Sequence, residues 1–400
     1  MAQKIISLLE RNNVAELKAY FDAMPAGKPL DYPDEILILE HFSEPVVQSY
    51  VSRFPLSKEA EAIFIKKAPA ALRQLYINLH GLKPETQHLI IEENLKEAAA
   101  DFCTMRTFDD VSFLLEKGST SVLRNYLVRY PLENDDLVLK LLCHSNPSMM
   151  VCYINTGRYI SPTVLRAMIE ERHLEAFKAF CYRQHRLFKK KAAAQAPFDK
   201  IIERLGANYL SCSLQLEVLE ACDWRFVEVL LKTTPLAQEA QKLLFERKFD
   251  YTWLKLHVTS LYGIGGYRFS KDYEPLLFKA LAAKDMDDCL TNFRHQDDTV
   301  FVQNASEKAV LKYLEGFWLA DEAQVALIAR GNGTLIKKLI SRYSPSHGLC
   351  WQAEVKLVEI CSPEVIRLYT SFHTMCGQAL EKLGQKSQSE LEYYYSKHCY

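Results

Sequence analysis

The chain contains little glycine and proline, with 14 and 15 residues respectively among 400. All-β proteins need many tight turns, which glycine favours, so this scarcity favours a helical protein. An excess of charge of one sign is also missing, because 49 Lys and Arg residues offset 50 Asp and Glu residues to leave a net charge of -1. The overall charge therefore does not point to a nucleic acid or an anionic membrane as the partner.

Long apolar runs are absent too. No stretch approaches the roughly 18 uninterrupted apolar residues of a membrane span, and the apolar run at residues 5–9 is too short for a signal peptide. The 11 cysteines are scattered without a CxxC pair, so we expect mostly buried, reduced thiols and no disulfide framework. These absences predict a cytoplasmic protein that does not interact with a membrane.

Local signatures of catalysis are missing as well. The glycine run Gly263–Gly266 lacks the preceding strand and following helix of a phosphate-binding loop. The chain has no HExxH zinc motif and no GxSxG nucleophile motif. We therefore expect no catalytic residue, no cofactor-binding residue and no metal ligand, which predicts that the protein is not an enzyme.

The chain does contain an apolar two-residue step, often followed by Glu, that returns about every 26 residues. Such a period is typical of a solenoid, in which a unit buries its apolar face only against its neighbours. The copies with Glu are Leu8-Leu9-Glu10, Ile38-Leu39-Glu40, Ile90-Ile91-Glu92, Leu114-Leu115-Glu116, Met168-Ile169-Glu170, Val218-Leu219-Glu220, Leu244-Phe245-Glu246 and Leu357-Val358-Glu359. An acidic strip for a basic partner is one interpretation of these Glu residues; helix capping or pairing with Lys and Arg is the favoured one.

A second apolar stripe follows each step. In Val46, Val47, Tyr50 and Val51 the spacing is that of a helix and not of a strand. A large side chain recurs at the centre of this stripe. Its positions are Tyr50, Tyr76, Phe102, Tyr126, Tyr153 and Phe180, and then Leu230, Leu256, Tyr313, Leu339, Tyr369 and Tyr394. Half-units of about 8–12 residues are too short to be stable alone in water, so each needs its neighbours.

These patterns predict an all-α fold, a right-handed α-solenoid of roughly 13–14 short antiparallel helix pairs. Gly118 and Gly331 follow directly on first helices, where a left-handed residue commonly ends a helix. The register breaks near 186–210, which could divide the solenoid into two stacks. We expect an N-terminal stack over 1–185, an irregular junction over 186–212, and a C-terminal stack over 213–400 with a loop insertion near 262–270.

The clearest unit is Glu322–Asn332, followed by Leu335-Ile336 and Arg342-Tyr343. It resembles bacterial α-helical repeat proteins of the leucine-rich-variant, HEAT and armadillo group. The units depart from the tetratricopeptide pattern and from the ankyrin signature. The resemblance implies a curved scaffold that binds a protein or peptide, and it carries over no catalytic residue.

The sequence thus predicts a non-enzymatic scaffold for a protein or peptide partner. The alternative is a nucleic-acid-binding helical repeat that uses the basic cluster 183–191. It is not favoured, because one local cluster in a neutral chain is usually a solvated helix end. The candidate partner-binding residues are the basic side chains of that cluster and the tyrosines outside repeat positions: Arg183, Arg186, Lys189, Lys190, Lys191, Tyr267, Tyr273, Tyr393 and Tyr395.

Overall fold

The structure is a computed structural model of the chain. It describes residues 6–7, 14–25, 28–192, 198–205, 209–246, 251–261, 267, 269–282, 291, 295, 297–343 and 348–398. Among these residues there are 27 helices of seven or more residues and no strand, so the predicted all-α class is confirmed. The step at Leu8-Leu9 and the glycine run Gly263–Gly266 lie outside the described residues.

The chain divides into two compact units, Met1–Phe180 and Cys181–Tyr400, and the division falls within helix α13. The predicted boundaries at 185/186 and 212/213 stay predictions.

The first unit contains twelve helices and the start of a thirteenth among its described residues. They are α1 Val14–Ala23, α2 Tyr32–His41, α3 Glu44–Val51, α4 Lys58–Lys67, α5 Ala70–His80, α6 Pro84–Glu92, α7 Lys96–Met105, α8 Val111–Lys117, α9 Thr120–Arg129, α10 Asp135–Leu142, α11 Ser148–Asn155, α12 Pro162–Glu170 and α13 Leu174–Ala192.

The second unit begins with residues 181–192 of α13. Its helices are α14 Phe198–Leu205, α15 Cys212–Ala221, α16 Trp224–Thr233, α17 Gln238–Glu246, α18 Tyr251–Leu261, α19 Glu274–Ala282, α20 Asp298–Asn304, α21 Glu307–Gly316, α22 Asp321–Ala329, α23 Gly333–Arg342, α24 Trp351–Ile360, α25 Pro363–Thr370, α26 Gly377–Lys386 and α27 Gln388–His398.

Within each unit most helices pack in rows, in which a helix contacts the helix two places along the chain. In the first unit α2, α4, α6, α8, α10 and α12 contact one another in succession, as do α5, α7, α9 and α11. In the second unit α20, α22, α24 and α26 form one row and α21, α23, α25 and α27 the other. Each unit is therefore a solenoid-like stack, because every helix buries its apolar stripe against neighbouring repeats.

The predicted apolar steps and stripes form the core. Ile90 and Ile91 of one step, and Val46, Val47, Tyr50 and Val51 of one stripe, are all buried. In α18 the predicted stripe centre is one residue out of register: Leu256 is half-buried, whereas His257 is fully buried at that place. A histidine is accepted there because both of its ring nitrogens are hydrogen-bonded, as described below.

Two kinds of turn recur between the two helices of a repeat. A three-residue turn places one residue in the left-handed region: Asn94 (φ 54°), Arg172 (φ 61°) and Gly331 (φ 67°). A two-residue turn, as at Gly118, keeps the backbone extended (φ -67°, ψ 137°). The prediction of a left-handed residue is confirmed for Gly331 and wrong for Gly118, where the glycine is needed because a Cβ would clash with the carbonyl oxygen of Leu114.

A buried polar side chain fixes the loops on both sides of a repeat. The backbone N–H of Leu30 donates to Tyr50 Oη (2.9 Å), and Tyr50 Oη donates to Glu35 Oε1 (3.1 Å). Glu35 Oε2 then accepts the N–H of Ser57, which precedes the first helix of the next repeat (2.9 Å). We call this arrangement the latch. It recurs with Glu61 and Tyr76, with Asp298 and Tyr313, and with Glu354 and Tyr369.

In four repeats whose stripe centre is not tyrosine, glutamine takes the latch position, whereas Leu165 takes it in the repeat of Phe180. Gln87 Nε2 donates to the carbonyl oxygen of Leu82 (2.9 Å), and Gln87 Oε1 accepts the N–H of Asp109 (2.8 Å). An amide supplies the donor that a carboxylate lacks, so it needs no hydroxyl. The same two bonds are made by Gln215, Gln241 and Gln324.

The two kinds of latch satisfy the same physical requirement. All eight latch side chains are 5% exposed or less, and a buried polar atom without a partner is destabilising. Burial, followed by the hydrogen bond to Glu354 and then the charge of Glu354, raises the pKa of Tyr369, which keeps its hydroxyl protonated as a donor. The latch therefore joins consecutive repeats without leaving an acceptor unpaired.

Basic side chains also join consecutive repeats, at the carboxyl ends of helices. His80, at the end of α5, donates from Nε2 to the carbonyl oxygen of Val51 at the end of α3 (2.8 Å). Lys386, at the end of α26, donates to the carbonyl oxygens of Val358 (2.6 Å) and Cys361 (2.9 Å). The last carbonyls of a helix have no partner within it, so a donor from the next repeat satisfies them, and the positive charge of Lys386 also suits their partial negative charge.

The recurring Glu after the apolar step pairs with lysines of neighbouring repeats. Glu40 Oε1 lies 3.4 Å from Lys67 Nζ, Glu116 Oε2 lies 3.6 Å from Lys140 Nζ, and Glu359 Oε1 lies 4.0 Å from Lys382 Nζ. The favoured interpretation, pairing with lysine, is confirmed at these three positions. Because the pairs are solvent-exposed, each contributes at most about 1 kcal/mol.

We expect Tyr369→Phe to lower the free energy of unfolding by about 2–3 kcal/mol, because buried Glu354 loses the donor at one of its oxygens. Tyr394→Phe is the control in the same unit. Its hydroxyl accepts the N–H of Met375 (3.2 Å), and Ala379 stands at the latch position of that repeat, so the expected loss is about 1 kcal/mol. Urea unfolding followed by circular dichroism measures both.

The double variant Glu354→Gln/Tyr369→Phe recreates the combination of Gln87 with Phe102. We expect it to recover at least half of the stability lost by Tyr369→Phe, because the new amide can donate to the carbonyl oxygen of Leu349. Purely additive effects of the two substitutions would contradict the latch.

Candidate interaction surfaces

An apolar groove opens between two consecutive repeats of the first unit. It lies at the edge where the turn from α2 to α3 meets the turn from α4 to α5. Buried Val47, Phe64 and Leu72 form its floor. Its walls are the half-buried side chains Leu39, Phe42, Ile63 and Ala68, with exposed Pro69 at one end.

The local sequence explains why the groove stays open. Both turns are of the two-residue kind, and Ala68 (φ -68°, ψ 143°) and Phe42 (φ -104°, ψ 156°) hold the backbone extended there. Ala68 has a small side chain and Pro69 a short, rigid one, so neither fills the space between the helix ends. Ile63 on α4 and Leu39 on α2 thus keep part of their apolar surface uncovered.

The size of the groove limits what it can hold. Its volume is about 160 Å³, close to that of an engineered cavity of about 150 Å³ that binds one benzene ring. Pockets for drug-sized ligands and cofactors are larger, about 300–1,000 Å³. The groove therefore suits a single aliphatic or aromatic side chain of a partner.

The rim of the groove carries charge. Lys67 Nζ is paired with Glu40 (3.4 Å), which neutralises the cation. Exposed Glu44, the first residue of α3, forms no ion pair with any residue that the structure describes. A partner side chain in the groove would thus have a carboxylate next to it.

The predicted basic cluster lies on α13. Arg186, Lys189 and Lys190 are exposed, and Arg183 and Lys191 are half-buried. Burial, followed by the charge of Arg186, lowers the pKa of Arg183. The cluster therefore presents a charged surface in the second unit, and its role in partner binding stays a prediction.

The predicted tyrosines lie in different environments. Tyr395 on α27 is 45% exposed. Tyr393 on the same helix is half-buried, and the guanidinium of Arg367 lies 5.1 Å from its ring centre. Half-buried Tyr273 stacks on Phe245 at 5.4 Å. Partner binding by these three residues also stays a prediction.

Tyr267 is a core residue, which corrects its placement among the exposed tyrosines. It is 1% exposed and packs with Phe188, Ile201, Leu205 and Leu261. Its hydroxyl is hydrogen-bonded within the core, which satisfies the polar end of the buried ring. No ring surface at Tyr267 is open to a partner in this structure.

The hydroxyl of Tyr267 replaces the one that the stripe centre of α18 lacks. Tyr267 Oη accepts the N–H of Leu236 (3.0 Å) and donates to His257 Nε2 (2.9 Å). His257 Nδ1 donates to the carbonyl oxygen of Leu231 (2.8 Å). These bonds fix the neutral His257 ring with its proton on Nδ1, and they hold Tyr267, which lies within the 262–270 segment, in the core.

Three further features of the described part of the chain concern membrane spans, metal ligands and cysteines. No helix in it combines the length and apolar character needed to cross a bilayer. No group of three or more His, Cys, Asp or Glu side chains in it could hold a metal ion. Of its nine cysteines only Cys103, Cys181 and Cys361 are buried, so the expectation of mostly buried thiols is wrong. Burial raises the pKa of Cys103 and of Cys181 to about 12.

Sequence reasoning missed the groove and the latch. The groove depends on which half-exposed apolar residues of two repeats meet, and periodicity does not give that. The latch did leave a signal, because its side chain stands three residues before the apolar step, as in Glu35 before Ile38 and Gln87 before Ile90.

We expect acid to destabilise the second unit through His257. Burial lowers its folded-state pKa to about 4, whereas the unfolded value is about 6.5. Between these values the unfolded chain binds more protons, so stability falls as the pH falls; at about pH 5 the loss is roughly 2 kcal/mol. Urea unfolding at neutral pH and at about pH 5 measures it, with His257→Gln as the control.

The variant cannot titrate at this position, whereas the other histidines titrate equally in both proteins. An equal fall in stability in wild type and His257→Gln would contradict the assignment.

Comparison with known proteins finds no match: no protein family, no curated protein and no solved structure is similar to this chain.

Proposed function

We propose that this chain is a non-enzymatic scaffold that binds a protein or peptide partner. The groove between α2 and α4 is the observation that carries this proposal. It is apolar, open to solvent and the size of one side chain. Such a groove is suited to an anchor residue of a partner, around which a broader surface excludes water.

The stack of repeats supports this function physically. Latches and inter-repeat carbonyl bonds fix the loops, so the surface between repeats is held in one arrangement before a partner arrives. A preorganised site loses less conformational entropy on binding. Exposed Glu44 at the rim favours a partner with Lys or Arg next to its apolar anchor.

The finer expectations from the sequence belong to the same proposal. They are a likeness to the leucine-rich-variant, HEAT and armadillo group, a right-handed superhelix, a bacterial origin and a place in the cytoplasm. What supports the likeness is the packing of short helices between sequence neighbours in both units.

The test begins with peptides selected on the immobilised full chain from a random displayed library. We expect an enriched Leu, Ile, Phe or Met anchor with a neighbouring Lys or Arg. Ala68→Trp fills the groove from its wall, so the affinity of the selected peptides should fall at least about tenfold, measured by fluorescence anisotropy.

Cys222→Trp is the matched control, because Cys222 is also the first residue of a two-residue turn with extended backbone (φ -89°, ψ 159°). It should leave the affinity within about twofold. Equal binding to Ala68→Trp and wild type, or no enriched sequence at all, would overturn the proposal. Thermal unfolding confirms that both variants are folded.

A further inference from the structure

Positive charge is concentrated on one face of α13 within the second unit. Residues 181–192 contain no Asp or Glu. At about 100° per residue, Tyr182, Arg186 and Lys189 fall within about 60° of one another, and Arg183 and Lys190 extend the same face. Tyr182 is 41% exposed.

The positive charges of Arg186, Lys189 and Lys190 are not balanced within the described part of the protein. Arg186, Lys189 and Lys190 are exposed and form no ion pair there. Like charges three or four residues apart on a helix repel each other, as Arg186 does with Arg183, Lys189 and Lys190. The partial negative charge at a helix carboxyl end favours cations in the last turn, which accounts for Lys189–Lys191 but not for Arg186.

The basic face has a limited extent. From Tyr182 to Lys190 it runs about 12 Å along the helix. Beside it on α16, Lys232 is bonded to Glu228 (2.5 Å), so the positive surface does not continue there. Tight binding of nucleic acid uses about 6–10 phosphate contacts, more than three exposed cations provide. A short acidic segment with one apolar residue matches both the length and the composition of this face.

We propose that Arg186, Lys189 and Lys190, with Tyr182 beside them, bind an acidic segment of a partner protein. Carboxylates of the segment pair with the three cations, and an apolar side chain packs on the ring of Tyr182. The inference deepens the proposed scaffold function and rests on it, but it does not depend on the groove.

The test uses the full chain and a fluorescein-labelled peptide rich in Glu that contains one Leu. We expect it to bind at about 50 mM salt and to weaken at about 200 mM salt. The variant Arg186→Glu/Lys189→Glu/Lys190→Glu should lose at least about tenfold in affinity. The control Lys308→Glu/Lys337→Glu/Lys397→Glu changes three exposed lysines of other helices by the same charge and should stay within about twofold of wild type.

An oligothymidylate with as many negative charges as the peptide decides between partner classes. Weaker binding than the peptide supports an acidic protein segment; tighter binding that is lost in the α13 variant assigns the face to nucleic acid and overturns the proposal. Absence of peptide binding, or equal loss in both triple variants, also overturns it. Groove peptides should bind the α13 variant normally, so this inference and the proposed function can fail separately.

Discussion

The stack depends on the packing of consecutive repeats, and in eight of the described repeats a latch also fixes the loops between them. A helix of eight to ten residues is marginal in water, so each repeat persists only if the next one lies in the correct place. Apolar packing supplies most of the stabilisation but does little to fix the position of the loops. A buried side chain that accepts a backbone N–H from each side of a repeat, directly or through Tyr, fixes both loops at once, as Glu35 does with Tyr50.

The pairing of latch and stripe centre follows from donor counting. A carboxylate has only acceptors, so it is found where Tyr supplies a hydroxyl; Gln has its own donor and is found where Phe102, Leu230 or Leu339 fills the stripe. His257 with Tyr267 is a third arrangement of buried polar groups, which accompanies the Gln241 latch of that repeat. All three avoid the same penalty, an unpaired polar atom in a dry core.

A stack fixed in this way leaves its variation to the surface. The groove at Ile63 and Ala68 and the basic face at Arg186 and Lys190 lie in different units and have opposite character, one apolar and one charged. Neither belongs to the repeat pattern, because other repeats have other side chains at these places. This arrangement suits the proposed scaffold function, in which a constant interior sets the positions and individual exposed residues would supply the recognition.

The sequence by itself determined the helical class, the period and the buried stripes, because apolar residues spaced one, three and four apart can be covered only in a helix that packs on its neighbours. It also placed Gly331 correctly at a left-handed turn. Only the tertiary structure decided the pairing of Glu354 with Tyr369, the burial of Tyr267, the replacement of Leu256 by His257 as the stripe centre, and the groove beside Ala68. Each of these depends on which polar or apolar atoms of different repeats or loops come within contact distance, and a one-dimensional period carries no information about that distance.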